Sequence, residues 1–419
     1  MTANDMQVEY AAVRSNTRQR QQDLVRVLFL QSQTYFGADS QLHGLLMRYF
    51  ERTRVQVHAA CNPGSGLAPS ASFAALSKIP DLHLLSINFG PTMNNLSRTE
   101  RLSSAIRGFE VLPSLARLAL YIRRHKIGVI HGTEKPRDAF YGVLLAKATG
   151  AKSIIHMHVK CEDWLSPLVR WSLSQCDGVI GISQFVSDSV VAMGYSPDKV
   201  HTVLNCIDAN QWEPATDGAA IRQEYHIPHD MPVLCIMARL FHWKGHSELL
   251  KALAIVKERV PSFRLLIVGE DDPRAAPGRG SYTAEVKALT RELGLTQQVI
   301  FTGFRSDVAS LLAASDIYAM PSFEEPFGMV YLEAMAMGKP VIALDNGGTR
   351  EVVEQHVTGL LSPPYDSDAL AQNILMLLDN RELREQMGIR GRLRAERRFS
   401  PQQMADNVER VYRSILSSK

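Results

Sequence analysis

Residues 320–348 read MPSFEEPFGMVYLEAMAMGKPVIALDNGG. An apolar run over 316–321 predicts a strand that ends in the loop Glu324-Glu325-Pro326-Phe327. Gly328 then opens a helix over 329–337, which Gly338 closes and Pro340 keeps from continuing. Residues 341–344 predict the next buried strand, and Gly347-Gly348 a tight turn before Glu351. A strand–loop–helix–strand unit of this kind builds parallel sheets, and such sheets bind ligands at the carboxyl ends of their strands. A glycine at the helix start lets a ligand approach the backbone, and the free N–H groups there suit a phosphate. Glu325 in the loop can accept from two sugar hydroxyls. Glu333, eight residues on, can accept from a vicinal diol such as ribose. Charge-assisted hydrogen bonds contribute about 1.5–3 kcal/mol each when buried, enough for two carboxylates to orient a sugar nucleotide.

A single glutamate in such a place is more often solvated. The composite E-P-F-G-x4-E, followed by G-K-P-V-I-A and G-G-x-x-E, is a different matter. It resembles the donor-site signature of retaining GT-B glycosyltransferases of family 4. The resemblance implies two Rossmann-like doubly wound α/β domains facing across a cleft, with a nucleotide sugar as donor.

Composition agrees with a chain of this kind. At 419 residues, with 45% hydrophobic and 21% charged, it suggests two globular domains. No apolar run is long enough to span a bilayer. Residues 1–22 are polar and read as a mobile tail rather than a secretory signal. Five cysteines without a C-x-x-C pair suit a reduced, cytoplasmic protein. Of the 46 Lys+Arg and 43 Asp+Glu, residues 1–207 hold 22 and 15, leaving 24 and 28; +7 and −4 make up the net +3. The basic N-terminal half leaves open an anionic acceptor or peripheral contact with the inner face of a membrane.

Strands are expected at 25–30, 55–60, 82–87, 128–131, 152–156, 177–182 and 200–204, and then, after a linker, at 233–239, 264–268 and 299–302. The implied domains are 1–22 (tail), 23–207 (acceptor), 208–398 (nucleotide sugar) and 399–419 (a helix crossing back to the first domain). Residues 98–126 read as a long basic helical segment broken or kinked at Pro113.

Residue by residue, the resemblance implies the following. Arg239 and Lys244, in an R-x4-K-G element, clamp the donor diphosphate, with Ser247 capping the helix that follows. His158, at the end of the 152–156 strand, lies beside the donor sugar. Glu325 orients that sugar, and Arg239, Lys244, His158 and Glu325 form the catalytic set. Phe327, Gly328, Met329, Val330 and Glu333 lie at the donor. Phe304 and Arg305 flank the base, which is read through backbone groups. Gly37 alone stands for the glycine pair of the first loop. The family's His-x-His element appears here as His131 followed by Thr133, and Cys206 stands where the family has glycine.

Other chemistries lack their signatures. There is no GxxxxGK[ST], no G-x-G-x-x-G after a strand, no HExxH and no nucleic-acid motif. Asp366-Ser367-Asp368 matches the D-x-D metal motif, but its position before a helix suits capping. No metal and no cofactor are expected. The function expected is transfer of a hexose from a nucleoside diphosphate sugar, UDP-linked by preference, to an unidentified acceptor hydroxyl, with retention. A nucleotide-sugar epimerase or a non-catalytic sugar-nucleotide-binding protein is the alternative.

Overall fold

The computed structural model describes residues 24–64, 68–90, 111–271 and 280–418. The expected tail, and the expected helical segment before Val111, lie outside the described residues. Two compact units divide the chain. Unit 1 runs to Ile182, resumes over Val186–Leu204 and ends with Pro401–Lys419; unit 2 comprises Ser183–Phe185 and Asn205–Ser400.

Unit 1 is built on seven parallel strands, in order β3-β2-β1-β4-β5-β6-β7. They are β1 (Val25–Gln31), β2 (Val55–Cys61), β3 (His83–Ser86), β4 (Val129–Thr133), β5 (Lys152–Met157), β6 (Gly178–Gly181) and β7 (Val200–Thr202). The central strands are buried almost end to end, as continuous apolar runs covered by helices on both faces should be. Beneath them Leu28, Leu30, Ile87, Phe89, Leu118, Ile122 and Ile130 form one core cluster. The described helix Val111–Arg124 carries Pro113 in its first turn, where the missing N–H has no intrahelical partner to lose. The helix Pro167–Gln175 starts where it does because Ser166 accepts from the Val169 N–H and proline is tolerated at the first helical position.

Unit 2 repeats the scheme with six parallel strands in order β10-β9-β8-β11-β12-β13. These are β8 (Val233–Met237), β9 (Arg264–Val268), β10 (Val299–Gly303), β11 (Ile317–Met320), β12 (Val341–Leu344) and β13 (Gly359–Ser362). The strand order reverses direction between β8 and β11, which pair in parallel through Leu234 and Cys235. In an open α/β sheet, that reversal opens a crevice outside the carboxyl ends of the two strands. In unit 1 the corresponding reversal falls between β1 and β4. All five cysteines are free and buried. No helix among the described residues is long and apolar enough to cross a membrane.

Candidate functional site

The loops after β8 and β11 meet at the crevice of unit 2. After β8 the chain makes a single 3-10 turn, His242–Lys244, and Gly245 follows in the left-handed region at φ +80°. A Cβ on Gly245 would lie 2.0 Å from the Pro321 carbonyl oxygen, so only glycine lets the two loops touch here. That contact brings Lys244 to Glu325. Lys244 Nζ donates to Glu325 Oε2 at 2.6 Å, with both side chains largely buried. The Ser322 hydroxyl lies 3.0 Å from the same oxygen, and the Lys244 ammonium sits 3.9 Å over the Trp243 ring. Glu325 Oε1 has no hydrogen bond among the described residues.

The Glu325 loop is held from its other side by the second glycine pair. Gly347 adopts φ +58°, and a Cβ there would lie 2.6 Å from the Glu325 carbonyl oxygen. A Cβ on Gly348 would lie 2.4 Å from the Pro326 carbonyl oxygen, and the Gly348 N–H donates to Glu325 O at 2.8 Å. Gly328, also left-handed at φ +98°, starts the helix Met329–Ala336. A Cβ on it would run into the Tyr331 ring, whose hydroxyl donates to the Met320 carbonyl at 2.8 Å. Met329 and Val330 supply the first backbone N–H groups of that helix. Glu333 is half-buried one turn on, without a hydrogen-bond partner among the described residues, and burial raises its carboxyl to about 7.

The remaining expected donor residues fall into place unevenly. Arg239 is exposed immediately beyond β8. Phe327 is fully buried, edge-on to Phe399, so its ring serves the core. Phe304 is 71% exposed just past β10. The Arg305 guanidinium is taken up by Glu224 at 2.6 Å and Asp307 at 2.7 Å, so it braces the loop to the helix Ala219–Glu224. Ser247 does not cap its helix, which starts one residue earlier, at His246, from the left-handed Gly245; the Ser247 hydroxyl pairs with Tyr282 instead. Asp366 accepts from the Ala369 N–H at 2.8 Å as the N-cap of Ser367–Asp379.

In unit 1, Gly37 precedes the helix Ala38–Tyr49 at φ −83°, a conformation open to any residue. His158 follows β5, its backbone N–H donating to Glu134 Oε2 at 3.2 Å. Burial lowers its imidazole, opposed by the Glu134 and Asp39 carboxylates. Lys135 sits between those carboxylates, 3.1 Å from Glu134 and 3.4 Å from Asp39. Thr133 donates to the buried Asp138, which also accepts from the Ser32 N–H at 3.0 Å, so it ties β4 to the loop after β1. His131 is buried and pairs with Tyr412 Oη at 2.7 Å. Cys206 is fully buried and outside the left-handed region. Sequence reasoning missed Ser322, Trp243, Asp39, Glu134 and Lys135. Position at a strand's carboxyl end was the one signal that could have marked the last two.

The fold and the crevice define a GT-B glycosyltransferase architecture. Anabaena HepE in complex with UDP and glucose superposes with TM-score 0.72 over 93% of this chain and 100% of its own, at 23% identity. Sucrose-phosphate synthase from Thermosynechococcus elongatus superposes with TM-score 0.72 over 94% and 100%, at 22% identity. At such identities the likeness concerns the fold. The glycosyl transferases group 1 model matches residues 217–394, and the glycosyltransferase family 4 model matches 44–211. A GDP-mannose-dependent monoacylated alpha-(1-6)-phosphatidylinositol monomannoside mannosyltransferase of Corynebacterium glutamicum is 31% identical over 71% of this chain and 79% of its own. The chain belongs to glycosyltransferase family 4. The N-acetyl-alpha-D-glucosaminyl L-malate synthase of Bacillus anthracis is 29% identical over 60% of this chain and 63% of its own. The chain spans about half to two thirds of the length of the first curated relatives it matches.

Proposed function

We propose that the chain transfers a hexose from a nucleoside diphosphate sugar, UDP-linked by preference, to an acceptor hydroxyl, with retention of anomeric configuration. The observation that carries this reading is the Lys244–Glu325 pair at 2.6 Å, built by adjoining loops at the strand reversal of unit 2. Lys244 and Arg239 would neutralise the diphosphate, aided by the N–H groups after Gly328. Glu325 would fix the sugar through Oε1, and Glu333 the ribose diol. Arg305 is left with a bracing role. The departing diphosphate would itself take the acceptor proton, so the transfer needs no metal ion. The resemblance assigns His158 to the same transfer from unit 1. HepE in complex with UDP-glucose and the GDP-mannose-dependent mannosyltransferase set the panel to be tried. UDP-, GDP- and ADP-sugars should be screened by release of nucleoside diphosphate, with Glu325→Ala and Lys244→Ala beside the native chain. Turnover of one donor, lost in both variants, supports the reading. Absence of binding to all three, with the variants no different, refutes it.

The acceptor side extends the same proposal. The helix Val111–Arg124 exposes Leu112 and Leu120 together with Arg117, Arg123 and Arg124. Exposed leucines among arginines suit an anionic lipid surface. Flotation with anionic but not neutral liposomes supports that contact, and equal behaviour with both refutes it.

A further inference from the structure

Tyr365 is 86% exposed, yet its backbone is left-handed at φ +63°. For a bulky residue that conformation is an outlier, and glycine or asparagine would relieve it. Pro363-Pro364, which follow β13, fix the approach to it with φ locked at about −65°. The ring does not hang free. It lies 4.7 Å from the Phe323 ring, tilted by 32°. Phe323 belongs to the loop after β11, two residues before Glu325, and its neighbour Glu324 is left-handed as well, at φ +46°. Strain at non-glycine residues persists only where the surroundings impose it, and it gathers at ligand sites. Here it holds an aromatic ring out in solvent. Its place in the sheet matters as much. Across unit 2 the strands run β10-β9-β8-β11-β12-β13. Phe304 follows β10, Arg239 and Lys244 follow β8, and Glu325 follows β11. In the transferase reading these meet the base, the diphosphate and the sugar, in that order. Tyr365 follows β13, two strand spacings or about 10 Å beyond β11, and so comes next after the sugar.

We propose that Tyr365, backed by Phe323, is a stacking platform for a pyranose ring of the acceptor, so that the acceptor hydroxyl is carried by a saccharide. The proposal rests on the transferase reading of unit 2. A pyranose has an apolar face of axial C–H bonds and a polar rim of hydroxyls. An open phenol ring takes the first and leaves the second to water and to polar neighbours. A ring with two side-chain torsions loses little entropy on binding, and less again when a second ring already steadies it. The face of an aromatic ring is its negative part, so the platform does not attract an anionic group. A nucleobase stacks on aromatic rings too. The base of the donor, however, belongs past β10, and β10 and β13 are the two opposite edges of the sheet. Position on the sheet therefore selects the saccharide.

The test is saturation-transfer NMR on the full chain with methyl α-glucopyranoside, methyl α-mannopyranoside and methyl α-galactopyranoside, and with glycerol as the acyclic control. At least one glycoside should receive saturation at its ring C–H protons, and glycerol none. Tyr365→Phe should keep the signal. Tyr365→Gly should cut it by about fivefold or more, the lower end of what an aromatic ring contributes to a stacked base. The same variant should melt no lower than the native chain, because glycine adopts the left-handed conformation freely. A tyrosine that served the fold alone would show the reverse, a lower melting temperature and an unchanged signal. Glu325→Ala, which disturbs the donor sugar's position, should keep the signal. Absence of transfer to all three glycosides overturns the proposal. So does a signal that survives Tyr365→Gly, or one lost in folded Glu325→Ala, which puts the sugar at the donor position. If Tyr365→Gly does not fold, Tyr365→Asn, which also tolerates the left-handed region, is read in its place. A signal that depends on Tyr365 in a chain that turns over no nucleotide sugar keeps the platform and refutes the transferase reading alone.

Discussion

Replacing Lys244 by methionine separates what the Lys244–Glu325 pair does for stability from what it does for a ligand. The two side chains are 14% and 11% exposed, and they meet at 2.6 Å. Breaking a buried pair by removing one partner costs about 3–5 kcal/mol, because the other charge is left uncompensated. Here Ser322 still faces Glu325 Oε2, and both groups keep some access to water, so Lys244→Met should cost about 2–3 kcal/mol. In a unit of this size that corresponds to roughly 4–12 °C in the melting temperature of unit 2. Glu325→Gln should be similarly harmful, since it strands the ammonium over Trp243. The double variant should recover part of the loss, with a coupling of about 1–2 kcal/mol. Turnover of nucleotide sugar should vanish in both single variants and stay absent in the double, because an amide and a thioether cannot hold a diphospho-sugar. Urea unfolding followed by a probe in unit 2, with donor turnover on the same samples, reads both quantities. A cost below about 0.5 kcal/mol for Lys244→Met, with the double variant simply additive, would refute the reasoning.

Gly347→Ala should cost about 1–3 kcal/mol, because φ +58° and a 2.6 Å approach to the Glu325 carbonyl both oppose a Cβ; donor KM should rise in the folded protein, as titration calorimetry and kinetics can check. Glu333 links pH to two quantities with opposite signs. Its folded value of about 7 lies above the 4.5 of an unperturbed glutamate, so its contribution to stability is complete below about 4.5 and is lost as pH rises through about 7. Donor binding should instead strengthen over that upper range as the carboxylate forms, and Glu333→Gln should flatten both profiles in thermal melts and binding titrations. Asp366→Ala should lower stability by about 0.5–2 kcal/mol through its lost cap, with donor turnover unchanged in the presence of a chelator; a metal-dependent loss of turnover would overturn the capping assignment.

The parts of unit 2 legible in the sequence are those in which chemistry is enforced locally. The E-P-F-G run, the Gly-Gly turn and the Lys-Gly pair could each be read, because strand ends, left-handed glycines and helix starts leave marks within a few residues. What escaped depended on chain folding over long separations. Ser322 and Trp243 are ordinary residues until the loop after β8 lies against the loop after β11. Arg305 looked available in Gly-Phe-Arg, yet Glu224, far back in the chain, takes its guanidinium. Ser247 looked like a cap, but Gly245 is drawn against Pro321, and the helix starts before the serine. His43 carried no motif. Only the helix that follows β1 turns it toward His156.

Three of these glycine contacts bear on one loop. Gly245 touches it at Pro321, Gly347 at Glu325, and Gly348 at Glu325 and Pro326. A loop gripped from both sides by backbone has little freedom to reorient when a ligand arrives. The carboxylate of Glu325 is therefore held before any ligand arrives, with Lys244 and Ser322 fixing one oxygen and the other without a hydrogen bond among the described residues. Were the carboxylate oriented by the ligand instead, alanine at Gly347 would be absorbed by loop movement. The spacing from Glu325 to the Gly-Gly turn follows from this grip, since the turn must return along β12 to the same loop that left β11. Sterics of main chain against main chain thus explain why the motif extends so far beyond the residues that would touch a substrate.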